Sequence, residues 1–373
     1  MPFSVGDLID GHYRVEQRFA GGMGFVYIVL DEVVRKRFAI KQLSELHAEH
    51  ETLRERFRRE ASTWLQLDHH PHIVQAHSYL PRPEAPMLIL EFVDGPSLDM
   101  LLRVEKRLGS GQVVTYARQV CQAMQHAHSR VIPDRGVGVL HRDIKPGNLQ
   151  LTRKNQIKVT DFGLAKIQGD TNLTSEGQYV GTVAYSSPEQ LRAAGTVSKA
   201  SDVYSFGAVM YQMLTGHQAY NAPNAAELFY AIQETEARPV AELRPEVHDG
   251  LAAIVSRCLQ KDPADRYADF AQLDAALADL GTVFPDASDH ICSQCGFVAR
   301  RQSPKCSVCE TIGEAKADPA ATQKLRPRAA RGWKCVCGAT VGTGQPVCPK
   351  CGRPPADRPR SARIWGQRGQ AGF

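Results

Sequence analysis

The sequence predicts an α+β protein of two lobes, the first strand-rich and the second helical, trailed by two compact cysteine-bearing units. Three observations predict this. Residues 13–43 alternate apolar and polar positions as short strands do, around a glycine cluster at Gly21, Gly22 and Gly24. From about residue 111 to 280 the apolar positions follow a mainly helical spacing punctuated by Gly and Pro. After Gly281 the composition changes abruptly, and eight of the ten cysteines fall between Cys292 and Cys351.

Taken in order, the first helix is the charged stretch EHETLRERFRREASTWLQL at about 49–67, with Phe57, Trp64 and Leu67 at helical spacing. MLILEFV, 87–93, reads as a strand, and DGPSL behind it as a turn and helix start. A strand pair interrupts the helical half near 149–160, and the last helix, FAQLDAALADL, ends at Gly281. Cys121 and Cys258 stand alone in apolar helical surroundings and read as buried core thiols. The expected boundaries are a large domain over 1–281, with lobes at about 13–93 and 94–281. Cysteine units follow at 290–312 and 332–354, joined by a flexible linker over 313–331 and trailed by a basic, disordered tail over 355–373.

Composition bounds the function class. An apolar fraction of 43% with 23% charged residues is that of an ordinary soluble protein. No basic segment followed by an apolar run opens the chain, and no stretch of ~18 apolar residues occurs, so neither a secretory leader nor a membrane span is expected. The expected location is the cytoplasm. The net charge of +5 is unevenly spread: residues 282–373 carry 15 Lys+Arg against 6 Asp+Glu, and the remainder carries 30 against 34.

The chemistry concentrates in HRDIKPGN, residues 141–148, followed by DFG at 161–163. Asp143 can accept a hydroxyl proton, while Asn148 and Asp161 offer hard oxygen ligands of the kind magnesium takes. Upstream, the glycines at 21, 22 and 24 let backbone N–H groups approach a phosphate, and Lys41 of FAIK ends the next strand within reach of phosphate oxygens. Those two features are weak alone, since hairpin turns carry similar glycines and a strand-end lysine is ordinarily solvated.

With these strings in this order, the segment from about 13 to 280 resembles the eukaryotic-like Ser/Thr protein kinases of bacteria. The resemblance implies a bilobal protein-kinase fold and an enzyme that transfers the γ-phosphate of ATP to Ser or Thr of protein substrates, with magnesium or manganese. It implies that Lys41 holds the α- and β-phosphates and pairs with Glu60 of FRREA. It makes Asp143 the catalytic base, Lys145 the cation that steadies the γ-phosphate, and Asn148 and Asp161 the metal ligands. Ala20, Gly21, Gly22, Gly24, Val26 and Ala39 would line the nucleotide site, and Glu91, Phe92 and Val93 the hinge that meets adenine behind Leu90. Glu189 of SSPEQ should pair with Arg266, and Asp202 of SDVYSFG should brace the catalytic loop.

Arg142, beside the base, implies contact with a phosphate on the loop from Asp161 to Glu189, where Thr171, Thr174 and Ser175 are the expected autophosphorylation sites. Thr182 of GTVAY would help select the acceptor hydroxyl. Two positions depart from the family. Phe19 stands where the glycine loop normally begins with glycine, and Gln150 where an apolar side chain normally lies beneath adenine. A polar group at 150 must find a partner or cost ~1–3 kcal/mol. The reading from another class is a catalytically weak kinase-fold scaffold that binds partners through its cysteine units. Retention of Lys41, Glu60, Asp143, Asn148 and Asp161 argues against it.

Cys292-x2-Cys295, ten residues, then Cys306-x2-Cys309 matches the paired knuckles of a tetrahedral zinc site. Cys335-x-Cys337, again ten residues, then Cys348-x2-Cys351 repeats the pattern with a shorter first pair. Both resemble small zinc ribbons, in which bound Zn2+ supplies most of the folding energy. Basic residues with Trp333 and Trp365 nearby permit nucleic-acid binding, but arginines scattered among prolines with no regular stripe favour a protein-docking or self-association role.

Overall fold

The computed structural model describes residues 2–21, 24–82, 84–132, 136–162, 183–192 and 197–280, and four two-residue strands beyond them. The first lobe is one antiparallel sheet in the order β1-β2-β3-β4-β6-β5. Its strands are β1 (Leu8–Ile9), β2 (Tyr13–Gly21), β3 (Gly24–Asp31), β4 (Lys36–Leu43), β5 (Ala76–Leu80) and β6 (Met87–Glu91). Two helices lie between β4 and β5, α1 (Glu45–Ala48) and α2 (Glu51–Leu65).

Side-chain alternation divides this sheet into two faces. Tyr27 and Val29 of β3, Ile40 of β4 and Met87 and Ile89 of β6 close an outer apolar cluster with Ile9 and Val15. Leu88 and Leu90 of β6 turn to the opposite face, into the main core with Phe57, Ala61 and Trp64 of α2. The charged face of α2 is laced by Glu55, which accepts from Arg58 and Arg59 one helical turn on. β1 and β5 fall outside the strands expected from the sequence. β1 is two residues long, too short to show a period, and β5 carries a register shift between Ala76 and Ser78 that breaks its alternation.

The second lobe begins with α3 (Leu98–Glu105), capped by the Ser97 hydroxyl on Met100 N–H, and α4 (Ser110–Ser129). The hairpins β7 (Val131–Ile132) with β8 (Gly136–Val137), and β9 (Leu149–Leu151) with β10 (Ile157–Val159), follow. The extra stretch before the catalytic string thus forms β7 and β8. The remaining helices are α5 (Pro188–Leu191), α6 (Lys199–Thr215), α7 (Ala225–Glu234), α8 (Val240–Leu243), α9 (Asp249–Cys258) and α10 (Phe270–Asp279). Helix α6 is buried almost all round, from Ala200 to Thr215, so the other helices pack about it. Cys121 and Cys258 lie in this core, where burial pushes both thiols up and keeps them unreactive. Among the described residues no helix is long and apolar enough to cross a membrane.

By compactness the chain divides into Met1–Ala315 and Lys316–Phe373. In the first, β11 (His290–Ile291) pairs antiparallel with β12 (Val298–Ala299); in the second, β13 (Trp333–Lys334) pairs antiparallel with β14 (Thr340–Val341).

The expected Glu189–Arg266 pair is bidentate, at 2.8 and 3.0 Å, and both side chains are buried. Arg266 also donates to the carbonyls of Gln260, Lys261 and Ala200, so none of its charge is left uncompensated. Burial pushes the Glu189 carboxyl up, but the Arg266 hydrogen bonds and charge outweigh it and hold the group below its ordinary 4.5. A depressed folded-state pKa adds stability that is complete above that value and is lost as pH falls through the folded one. Arg266→Met should therefore cost ~3–5 kcal/mol at neutral pH. Denaturation profiles should also show the variant losing less stability than the wild type as pH falls below the ordinary 4.5.

Candidate active site

The site is built on a loop that the core holds rigid. Asp202, wholly buried near the start of α6, accepts the backbone N–H groups of His141 and Arg142 at 2.8 Å each. His128 of α4 adds a third bond at 2.9 Å. Burial raises the Asp202 carboxyl, yet the His128 hydrogen bond and the facing charges bring it below its ordinary value. With its amide so held, Arg142 sits at φ 65°, a left-handed conformation that a non-glycine residue adopts only under constraint. His141 accepts from the Asp143 N–H through Nδ1 at 3.3 Å, and its Nε2 bonds the Thr160 carbonyl at 2.9 Å. The loop is thereby tied to the residue preceding Asp161.

Asp143 emerges from this frame with its carboxylate fixed. Lys145 Nζ lies 2.8 Å from Oδ2, and Asn148 Nδ2 donates to the same oxygen at 3.0 Å and to the Asp143 carbonyl at 2.8 Å. Asn148 has spent its N–H2 on Asp143, so its remaining donor atom is the oxygen Oδ1.

Asp161, itself at φ 62°, takes Lys41 Nζ on Oδ1 at 2.9 Å. The resemblance pairs Lys41 with Glu60, but among the described residues the lysine's ion pair is with Asp161. Both groups are largely withdrawn from water, and opposite charges so placed pair at the shortest reach. Glu60 lies partly buried on α2. Phe162 turns inward, its ring 4.8 Å from His141 and 6.2 Å from Trp64, which links α2 to the catalytic loop through aromatic contacts.

The roof of the cleft is the β2–β3 hairpin. At Gly24, φ 155°, a Cβ would lie 2.0 Å from the Gln42 carbonyl oxygen, so the turn requires glycine. Gly21 is different: the nearest atom to an added Cβ is the Gly24 oxygen at 3.8 Å. Its glycine leaves open backbone rather than relieving a clash, as a phosphate cradle needs. Ala20 is exposed, while Val26 and Ala39 are partly buried. Leu90 is buried opposite Ala39 in the β4–β6 register, and Val93 packs against the main core.

Glu91 carries a tie that sequence reasoning missed. Its carboxylate accepts from Lys158 Nζ at 3.0 Å and from the Gln75 N–H at 3.1 Å, joining β6 to β10. A lysine in the three-residue strand IKV carries no local signal of a partner 67 residues away. Gly95 was read only as a turn; a Cβ there would lie 2.0 Å from the Leu151 carbonyl, so the hinge passes directly against β9. Gln150 finds a partner in the Gly147 carbonyl at 3.3 Å. Gly22, Thr171, Thr174, Ser175, Thr182 and all eight cysteines from Cys292 to Cys351 lie outside the described residues.

The Asn148 oxygen and the Asp161 carboxylate suit a hard divalent cation, without thiolate or imidazole ligands, and the open backbone at Gly21 suits phosphate. A nucleoside triphosphate with magnesium fits these residues.

Comparison with known proteins identifies the family. The protein kinase domain family matches residues 17–276. Serine/threonine-protein kinase PrkC of Bacillus subtilis is 31% identical over 281 residues, which make up 75% of this chain and 42% of that protein. Serine/threonine-protein kinase PknA of Mycobacterium tuberculosis is 35% identical over 274 residues, 70% of this chain and 60% of that protein. Pkn1 of Myxococcus xanthus, also a serine/threonine-protein kinase, is 36% identical over 274 residues, 72% of this chain and 38% of that protein. The chain thus spans between 38% and 60% of the length of these relatives. The crystal structure of the Mycobacterium tuberculosis PknI kinase domain superposes with a TM-score of 0.57 at 26% identity, covering 75% of this chain and 99% of that one.

The Asp202 network predicts a specific failure. Asp202→Asn removes the charge and turns an amide N–H2 toward backbone donors, which should cost ~1–3 kcal/mol. Hydrogen exchange should show protection lost at the His141 and Arg142 amides before it is lost elsewhere in the second lobe.

Proposed function

Because the chain belongs to the protein kinase domain family, we propose that it transfers the γ-phosphate of ATP to serine and threonine hydroxyls of proteins. The observation that carries this is a pair of charge clusters, Lys41 with Asp161 at 2.9 Å and Asp143 with Lys145 and Asn148 at 2.8–3.0 Å, joined through the backbone by the Thr160 N–H on the Asn148 carbonyl at 3.0 Å. In this reading Asp143 Oδ2 orients the acceptor hydroxyl and takes its proton as the oxygen attacks the γ-phosphorus and the bond to the β-phosphate breaks. Lys145, already beside that oxygen, balances the charge that gathers on the transferred group. Lys41 holds the α- and β-phosphates, and Asn148 and Asp161 present oxygens to magnesium, whose double charge offsets the phosphates when bound. Glu91, Val93, Val26 and Ala39 enclose the base. Arg142 is read as the partner of a phosphate on the loop after Asp161, with Thr171, Thr174 and Ser175 as the sites the protein modifies on itself.

The two cysteine units are read as one structural zinc site each, Cys292, Cys295, Cys306 and Cys309 in the first and Cys335, Cys337, Cys348 and Cys351 in the second. Strand register supports this. The Ile291–Val298 pair leaves six residues between β11 and β12, around Cys292-x2-Cys295. The Lys334–Thr340 pair leaves five between β13 and β14, around Cys335-x-Cys337. The hairpin with the shorter loop holds the cysteine pair with the shorter spacing, as expected if both thiols of each pair must reach one ion. The role favoured for these units is docking of a protein partner or of a second copy.

The 373-residue chain should phosphorylate a generic acceptor protein with magnesium and ATP. Asp143→Asn should lower kcat by roughly 10²–10⁴-fold, and Lys41→Met should weaken turnover at fixed ATP. A wild type without turnover, or an Asp143→Asn variant with undiminished turnover, would refute the assignment. Metal analysis should find two zinc ions per chain. Chelation should unfold the units, read by protease sensitivity confined to residues 282–373; zinc-free protein with unchanged sensitivity would remove the zinc reading.

A further inference from the structure

We propose that Phe19, the residue standing where the glycine loop normally starts with glycine, is a nucleoside-contact residue: its ring packs on the base-and-ribose half of the bound nucleotide. This deepens the kinase reading and rests on it.

Strand register places the ring. In an antiparallel sheet, residues directly opposite each other project from the same face. Phe19 of β2 is opposite Val26 of β3, Val26 is opposite Lys41 of β4, and Lys41 is opposite Leu88 of β6. The four make one row across the sheet. The face of that row is settled at two points, because Lys41 reaches Asp161 at 2.9 Å and Leu88 belongs to the main core. The row therefore lies on the cleft side.

The neighbouring row supplies an independent check. Arg18 is opposite Tyr27, which lies in the outer cluster, and the Arg18 guanidinium sits 5.9 Å from the centroid of the Phe25 ring, which packs on that same cluster. Successive strand residues alternate faces, so Phe19 turns away from the outer cluster and into the roof of the cleft. Its side chain belongs to neither apolar cluster, and the residue is 46% exposed.

Position along the row decides which part of the nucleotide it meets. Phe19 stands two strands from Lys41, about 10 Å at the usual strand spacing. Lys41 serves the phosphates, so a ring that far along the roof, next to Val26, faces the nucleoside. Below the cleft, Gln150 faces the same side. It is opposite Lys158 in the β9–β10 pair, and Lys158 extends to the hinge residue Glu91 at 3.0 Å. The two departures from the family thus fall on the two walls of one slot, with an aromatic ring in the roof and an amide in the floor. A ring can stack on any nucleobase, so the contact strengthens nucleotide binding without selecting the base by hydrogen bonds.

Calorimetry on the full chain separates this role from a merely stiffer loop. The titrants are magnesium-ATP, adenosine and magnesium tripolyphosphate, the last lacking the nucleoside. Phe19→Ala and Phe19→Leu should each weaken ATP and adenosine by about tenfold, leave tripolyphosphate unchanged, and be rescued by Phe19→Trp. Equal or tighter ATP binding by Phe19→Ala would overturn the proposal. So would a parallel loss of tripolyphosphate affinity, which would assign the effect to loop geometry. A wild type that takes up no magnesium-ATP would remove the kinase reading and the proposal together, a result visible before any variant is compared.

Discussion

The carboxylate of Asp202 is the constraint on which the rest of the site depends. A buried charge must be hydrogen-bonded or paired, and this one is satisfied by two backbone N–H groups and one histidine. The bend through Arg142, at φ 65°, turns its amide and that of His141 onto the two oxygens of one carboxylate. Because that bend is where the loop turns from α4 toward β9, it also fixes the direction in which Asp143 leaves the backbone. Closing the core around α6 and aiming Asp143 are consequently one physical event. His141 extends the same frame to Thr160, and so to the segment that carries Asp161.

The ties between the two lobes are of another kind. Lys41 with Asp161 and Lys158 with Glu91 are single ion pairs at the edge of the cleft, each with one partner side chain about 30% exposed. Such pairs are worth little individually. Beneath them the apolar core runs unbroken from Trp64 and Leu90 of the first lobe to Phe162 and Leu151 of the second, and the backbone of His72 and Val74 bonds that of Val159 at 2.9 Å.

The departures from the family illustrate how local chemistry is absorbed by context. Gln150 in an apolar position looked costly, yet a carbonyl three residues back takes its amide, so the polar group is not stranded. Phe19 replaces the first glycine of the glycine loop. Its register shows a side chain added to the cleft face while Gly24, where the chain must pass against Gln42, is kept.

Strands β2–β4, helix α2 and the paired β9 and β10 were legible because period and turn residues are properties of neighbouring positions. The catalytic string was legible for a related reason: His141 through Asn148 act within eight residues, and their order is the signal. The Glu189–Arg266 and Asp202 contacts were reached only through the family resemblance. What neither period nor motif reached is partner choice across the chain: Lys41 with Asp161, 120 residues apart, Lys158 with Glu91, and the closure of the sheet by β1 and β5. Those depend on which groups the packed core brings within a few ångströms and strips of water. Composition and spacing specify which side chains can bond; the distance and burial that select among them exist only once the chain has folded.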